Sequence, residues 1–242
     1  MSALPSQSLL LIADSCLVWG HRLSEWCGHG PQLEEDIALT NTALDVIGQA
    51  RLLYQLYSSR AGNGLTEDKL AYFRGPDAFQ NVAIAAVENG DYAQTVLRSL
   101  ILSAWFVPLW RALAVGRDPE LAAIAVEAEK AARVQRRHAS DWTIRFGDGT
   151  AESRRRIEHA ISTLAPWVPA LLATEIDGTD RAHRENEWRA FVAEVMAEAT
   201  LAAFPVNANG DHHAFEANAK QALSALLHEM QSLAREHPEA VW

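Results

Sequence analysis

The sequence predicts an all-α protein, and three observations support this. Apolar residues recur at helical spacing along nearly the whole chain, whereas the alternation typical of strands is almost absent. Ala, Leu, Glu and Arg, which suit helices, dominate the composition. Only 13 Gly and 9 Pro occur in 242 residues, and several of them separate the long periodic segments. With 49% hydrophobic residues the chain can bury a sizeable core, which predicts a single domain over residues 1–242 and leaves two domains open.

The first part of the chain predicts two long helices joined by a short loop. The first helix runs over residues 6–26 and breaks at residues 27–31, which read Cys-Gly-His-Gly-Pro. The second runs over residues 33–60 and begins with three acidic residues, which suit the positive end of a helix dipole. Glycines at positions 62 and 64 end it.

A longer connection, residues 62–91, leads to a second pair of long helices. Within it, the hydroxyl of Thr66 can cap a short helix through the amides of the next turn. An Asn-Gly-Asp segment then opens a helix over residues 91–115. Asp118 followed by proline predicts a cap and a first helical residue, so another long helix covers residues 119–146.

Four long helices in two hairpins with a crossover between them form the ferritin-like arrangement of the four-helix bundle. The sequence therefore predicts a ferritin-like core over residues 6–146. Additional C-terminal helices follow within residues 151–236, at 151–164, 166–174, 185–204 and 215–236.

The charge of the chain argues against several classes of partner. Its net charge of −10 and its pI near 5.3 oppose binding to nucleic acids or anionic membranes, because both need basic surfaces. The longest apolar run, residues 100–110, is well short of the roughly 20 residues of a membrane span. The N-terminus carries no basic residue before its apolar stretch, so we expect a cytoplasmic protein. If Cys16 and Cys27 lie on one helix, they are roughly 16 Å apart, which is too far for a disulfide.

The motif that supplies metal ligands in ferritin-like di-iron proteins is absent. Those proteins place Glu-x-x-His pairs on two helices, because positions i and i+3 converge on one metal pair. None of the nine histidines has a glutamate three residues before it, and the nearest match, Asp180 before His183, falls in a predicted loop. Metalloprotease, phosphate-loop, nucleophile-elbow and dinucleotide-binding motifs are also missing. We therefore predict no catalytic, metal-binding or cofactor-binding residue.

Two histidine sites admit a metal interpretation beside a simpler one. Glu25 and His29 are four residues apart, but the glycines around His29 favour a turn-stabilising hydrogen bond. His212 and His213 are adjacent in a polar segment, where solvated side chains are more common than a metal site.

A set of polar residues lies on otherwise apolar helices and predicts an internal structural network. Buried polar groups must be paired, so such a network would fix the helix register. A remnant of an active site and a contact with another subunit are the alternatives. The predicted members are Asp14, Glu25, Asn41, Asp45, Gln49 and Arg51.

One ordered set of segments points to a known family. These segments are residues 14–18, 23–31, 33–39, Asn41 and 44–51, then 117–124, 198–201, 229–233 and Trp242. They resemble the family of the PaaC subunit of the ring-1,2-phenylacetyl-CoA epoxidase, which acts in phenylacetate degradation. The resemblance spans nearly the whole chain, is strongest in the first sixty residues and is loose between residues 150 and 193.

The resemblance implies a non-catalytic, ferritin-like subunit that pairs with the catalytic di-iron subunit of the same epoxidase. With a reductase, that system epoxidises the aromatic ring of phenylacetyl-CoA using O₂ and NADPH. It implies no cofactor in this chain, partners among the other epoxidase subunits and an interface whose location is unknown. A homodimer is left open. Where relatives can carry metal ligands, this chain has Ser103, Phe106, Ala131, Gln135 and Gln221.

Two other functions are kept as alternatives. One is a stand-alone di-iron or di-manganese enzyme with unusual ligands drawn from Asp14, Glu25, Asp45 and Glu198. The other is a helical interaction module unrelated to oxygenation. Metal analysis would distinguish the first, and genomic neighbours the second.

Overall fold

The all-α prediction is confirmed by a computed structural model. The structure describes residues 6–62, 64–206, 212–238 and 240, and for residues 212–216 it describes the backbone alone. These residues contain helices and no strand, an architecture consistent with the ferritin-like prediction. The α-helices are α1 (Ser6–Ser24), α2 (Leu33–Ala61), α3 (Glu67–Tyr72), α4 (Ala83–Ala86), α5 (Tyr92–Ala114), α6 (Pro119–Asp148), α7 (Ala151–Leu164), α8 (Val168–Leu172), α9 (Arg181–Glu198) and α10 (His212–Glu236).

The chain divides into two compact units. Of the described residues, the first unit comprises 6–62, 64–88, 212–238 and 240, and the second comprises 89–206. Each unit contains one of the two predicted long helical hairpins, α1 with α2 and α5 with α6. The expectation of a single domain over the whole chain stays a prediction.

In the first unit, α1 packs along α2, and α10 packs against α1, α3 and α4. The contact between the first two helices is close at Gly20. A Cβ atom at that position would lie 2.5 Å from Cγ1 of Ile47 and 3.3 Å from the carbonyl oxygen of Ala43. Glycine is therefore the residue that lets the two helix backbones approach at this point.

In the second unit, α5 packs against α6, α7 and α9. The indole N–H of Trp188, on α9, donates to the carbonyl oxygen of Ile101 at 3.0 Å. The same ring, 1% exposed, meets Phe204 edge-on with the ring centroids 5.9 Å apart. Trp188 thus joins α9 to α5 by both packing and a hydrogen bond.

Within the described residues, α5 is also the helix that is long and apolar enough to cross a membrane by length and composition. The most apolar 18-residue window of this helix is 89% buried inside the protein. A core helix of a folded protein accounts for this pattern, because its apolar residues are covered by other helices.

The predicted helix caps are confirmed. Asp91 accepts a hydrogen bond from the backbone N–H of Gln94 at 3.0 Å, and Asp118 accepts one from Leu121 at 3.2 Å. Thr66 accepts from the N–H of Lys69 at 3.2 Å. Short polar side chains ahead of apolar periodic segments therefore located these helix starts correctly.

The helix predicted over residues 185–204 is displaced toward the N-terminus and forms Arg181–Glu198. Asp180 caps the helix through the N–H of His183 at 3.0 Å, which sets the earlier start. Thr200 has φ +57°, a left-handed conformation that cannot continue the helix. The segment predicted at 166–174 is a 3-10 turn, Ala165–Trp167, followed by α8.

Candidate functional site

A buried carboxylate, that of Asp14, is the centre of a polar cluster between α1 and α2. The residue is fully buried. Its Oδ1 accepts a hydrogen bond from the Tyr54 hydroxyl at 2.5 Å, and its Oδ2 accepts one from the backbone N–H of Gln80 at 2.8 Å. Arg74 donates to both oxygens and forms an ion pair with the carboxylate. Both carboxylate oxygens are therefore occupied by donors of the same chain.

The guanidinium of Arg74 is fixed by its surroundings. Its Cζ lies 4.3 Å from the ring centroid of Phe79. Its nitrogens also donate to the backbone oxygens of Leu70 at 2.6 Å and Ala78 at 3.0 Å. The cation is thus held in place by stacking and by backbone acceptors, independently of the carboxylate.

Burial shifts the pKa values of Tyr54 and Arg74 in this cluster and of two further residues on α1. It raises the pKa of Tyr54 well above the usual value, and the charge of Asp14 raises it further. Burial also raises the pKa of the Cys16 thiol, and it lowers the pKa of His21 to about 4. Burial lowers the pKa of Arg74, but its hydrogen bond to Asp14 and the charge of that residue leave it raised overall. At neutral pH the phenol and thiol therefore stay protonated and the imidazole stays neutral.

The six polar residues predicted as one network do not form a continuous set. Asp14 lies in the buried cluster, and the Oε1 of Gln49 lies 4.0 Å from the thiol of Cys16. Glu25 forms an ion pair with Arg22 at 2.7 Å, and Arg51 lies 3.6 Å from Glu67. Asn41 and Asp45 are exposed on α2. Positions four apart turn by about 40° on a helix, so Gln49 reaches the core side while Asn41 remains outside. The structural role of these residues stays a prediction.

Three partners of Asp14 were missed from the sequence: Tyr54, Arg74 and Gln80. A buried acid within the apolar N-terminal helix does signal that a cation must lie nearby. The chain has 21 Lys and Arg residues, however, and no spacing rule selects one that is 60 residues away. The pair of Asp14 and Arg74 can be identified only in the structure, where the connection after α3 brings Arg74 to Asp14.

The region around Glu25 and His29 is a series of turns that follows α1. The backbone N–H of His29 donates to the carbonyl oxygen of Trp26 at 2.8 Å, and its Nδ1 lies 3.1 Å from the carbonyl oxygen of Cys27. This geometry accords with a turn-stabilising interaction. The side chains of His212 and His213 lie outside the described residues.

The positions on α5, α6 and α10 for which the resemblance implies metal ligands in relatives carry other groups in this chain. The hydroxyl of Ser103 donates to the carbonyl oxygen of Ser99 within its own helix at 2.6 Å. Phe106 is 2% exposed and contacts Trp105 and Trp110, at centroid distances of 5.0 and 5.8 Å. On α6, Ala131 offers no donor atom and Gln135 a neutral amide, and on α10 Gln221 is exposed. These residues do not fit a di-iron centre, whose ligands are carboxylates and imidazoles.

Within the described part of the chain, no three His, Cys, Asp or Glu side chains group closely enough to hold a metal ion. The acids considered for an unusual di-metal site also have other environments. Asp14 is bonded within its cluster and Glu25 is paired with Arg22, whereas Asp45 and Glu198 are exposed.

A groove of about 780 Å³ lies between α2, the α3 region and α10 in the first unit. Its walls include Ile47 and Arg51 of α2, Phe73 after α3, and Leu233 of α10. Both signs of charge line it, since Glu67, Asp68 and Lys69 contribute as well. The groove therefore lacks the charge of a single sign that favours binding of a phosphate group or a metal ion.

Comparison with known proteins places these features in a family context. A family model described as phenylacetic acid catabolic protein matches residues 3–242. A curated relative, the C subunit of 1,2-phenylacetyl-CoA epoxidase from Escherichia coli (strain K12), is 36% identical over 247 aligned positions. The alignment covers 96% of this chain and 97% of that relative.

Proposed function

Because the chain belongs to the phenylacetic acid catabolic protein family, we propose that it is a structural subunit of a multicomponent phenylacetyl-CoA epoxidase acting in the cytoplasm. In this role it binds and stabilises a catalytic di-iron subunit, while it performs no oxidation itself. The observation that carries the proposal is the side-chain set of α5 and α6. The resemblance implies that relatives can have metal ligands at three of these positions, where this chain has Ser103, Phe106 and Gln135.

The packing of α5 supports a structural role, in which this helix forms part of the hydrophobic core and does not bind a metal ion. Phe106 lies against two tryptophans, so an imidazole in its place would lose these contacts and bring a polar ring into an apolar interior. The hydroxyl of Ser103 is satisfied by its own helix and does not point to an absent ligand.

The buried cluster of the first unit supports the same role. A carboxylate that binds iron needs free lone pairs, yet the oxygens of Asp14 already accept from Tyr54, Arg74 and the N–H of Gln80. The acid therefore fixes α1, α2 and the connection after α3 to one another. A rigid helical subunit of this kind can support a catalytic partner whose own core is weakened by a substrate channel and charged ligands.

Pairing with the catalytic subunit is expected to use an obligate interface of roughly 2,000 Å² or more in total, as in permanent complexes. The test is co-expression of this chain with its cognate catalytic subunit, followed by size-exclusion chromatography and an assay of O₂-dependent phenylacetyl-CoA epoxidation. We expect one co-eluting species. Without this chain, turnover is expected to fall by about tenfold or more, because the partner loses the stabilisation that binding provides.

The matched control replaces this chain by an unrelated acidic helical protein at the same concentration, which should not restore turnover. Two separately eluting species at micromolar concentration would contradict the proposal. Equal turnover by the isolated catalytic subunit would contradict it as well.

A further inference from the structure

A buried cation without a carboxylate partner lies in the second unit. Arg184, in the first turn of α9, is 3% exposed. Its Nη2 donates to the carbonyl oxygen of Thr174 at 3.0 Å, and its Cζ lies 5.8 Å from the ring centroid of Trp105 on α5. Its Nε–H meets no acceptor among the described residues, and none of their carboxylates forms an ion pair with this guanidinium.

The two carboxylates whose charges act on Arg184, those of Glu175 and Asp180, have other partners. The Oε1 of Glu175 accepts a hydrogen bond from Arg181 at 2.8 Å. The Oδ1 of Asp180 accepts one from the backbone N–H of His183 at 3.0 Å. Burial lowers the pKa of Arg184, and the two acids do not offset this effect. Because arginine keeps its proton in folded proteins, the buried charge cannot be relieved by deprotonation.

A second buried donor beside this cation also lacks an acceptor. The indole N–H of Trp105 meets none among the described residues, and its ring is 1% exposed. The indole of Trp188, one turn beyond Arg184 on α9, shows the usual situation, since it donates to the carbonyl oxygen of Ile101. Buried N–H groups and buried charges are normally paired. The two unpaired donors and the unpaired charge therefore indicate that a group from outside the chain accepts from them.

We propose that the second unit binds a monovalent anion of the halide class, such as chloride, beside Arg184 and Trp105. The anion supplies the missing counter-charge and accepts from the Nε–H of the arginine and from the indole N–H. Two donors suffice for a single halide ion, whereas a phosphate or carboxylate group has several oxygens that need donors of their own. The start of α9 adds to the attraction, because a helix dipole is positive at that end. The bound anion joins α9 to α5.

The first test is thermal unfolding of the purified full chain in sodium chloride, with sodium gluconate added to hold the ionic strength at about 0.2 M. Gluconate is too large to enter a site between buried side chains. An anion that binds only the folded chain stabilises it, so the melting temperature should rise and saturate as chloride replaces gluconate. We expect a rise of about 3–6 °C for a dissociation constant of about 10 mM. A melting temperature that does not respond to chloride would overturn the proposal.

Two arginine substitutions on α9 separate this site from a general effect of salt. Arg184→Met keeps an apolar stem beside Trp105 and removes the cation, so it should abolish the response to chloride. Arg189→Met is the matched control, because it removes the same charge from the same helix, where Arg189 pairs with Glu185 at 2.7 Å. This control should keep the response of the wild type. Two variants that both keep the response, or both lose it, would contradict the proposal.

Trp105→Phe tests the second donor of the site. It keeps an aromatic ring beside the guanidinium and removes the indole N–H, so it should weaken chloride binding by about threefold to tenfold, as expected for one hydrogen bond. Circular dichroism verifies that each variant is folded. Chloride binding as tight as that of the wild type would show that the indole is not a ligand and that the site is wrongly assigned.

A crystal structure of the wild-type chain with bromide in place of chloride tests the site without any variant. We expect an anomalous peak between the Nε of Arg184 and the indole nitrogen of Trp105. A water molecule at that position would overturn the proposal, because water accepts from both donors but carries no charge. A phosphate or another oxyanion there would contradict the halide assignment. These measurements use the chain alone, so their outcome does not depend on the role in the epoxidase.

Discussion

Replacing Asp14 by alanine is expected to lower the free energy of unfolding by about 3–5 kcal/mol, because it leaves a buried cation without its counter-charge. The side chain of Arg74 is only 15% exposed, and its stacking on Phe79 prevents it from turning fully into water. The same substitution removes the acceptor of the Tyr54 hydroxyl and of the Gln80 N–H, which adds two unsatisfied donors. Denaturant titration followed by circular dichroism measures the change.

A double substitution provides the control for this ion pair. Replacing both charges in Asp14→Leu/Arg74→Met should destabilise less than the sum of the two single changes, since no charge is left unpaired. Asp14→Asn should be intermediate, because it keeps the shape and one acceptor but loses the charge. Additive single and double effects, or a cost of Asp14→Ala below about 1 kcal/mol, would show that the pair contributes little.

Trp188→Ala is expected to cost about 3–5 kcal/mol in the second unit, because it empties a large, fully buried site. The ring packs edge-on against Phe204, and its N–H is satisfied by Ile101 of α5. Both the packing and the hydrogen bond between α9 and α5 are lost in the alanine variant. Thermal unfolding of the purified chain measures the effect.

Trp188→Phe is the matched variant, since it keeps an aromatic ring and removes the hydrogen bond and part of the ring volume. It should cost about 1–2 kcal/mol, less than the alanine change. Equal effects of the two substitutions would mean that the hydrogen bond, and not the packing, holds α9 to α5.

The long helices were predictable because their signals are local. Asp91 and Asp118 lie directly before apolar periodic segments, and each accepts the backbone hydrogen bond expected of an N-terminal cap. At the start of α9 two local signals favour different boundaries, a capping residue and a glycine typical of a loop. Asp180 is also a capping residue, but the prediction treated it as part of a loop near Gly178 and began the helix four residues late.

The polar cluster was predictable only in part, because its contacts join residues that are distant in sequence. Asp14 was predicted as a member of a structural polar network, but its partners come from α2 and from the connection after α3. The exposure of Asn41 and Asp45 could not be foreseen either. Asn41, Asp45 and Gln49 recur every four residues, and a helix of a bundle core would bury residues at that spacing. In the structure Gln49 is buried, whereas Asn41 and Asp45 are exposed.

In the proposed function this chain does not itself bind the iron pair and instead supports a subunit that does. The iron and manganese content tests this role when it is determined for the chain purified alone and for its complex with the catalytic subunit, both expressed in metal-supplemented medium. We expect about two irons per complex, held by the catalytic subunit, and less than about 0.1 metal per molecule of this chain alone. About two tightly held metal ions in the isolated chain would contradict this role.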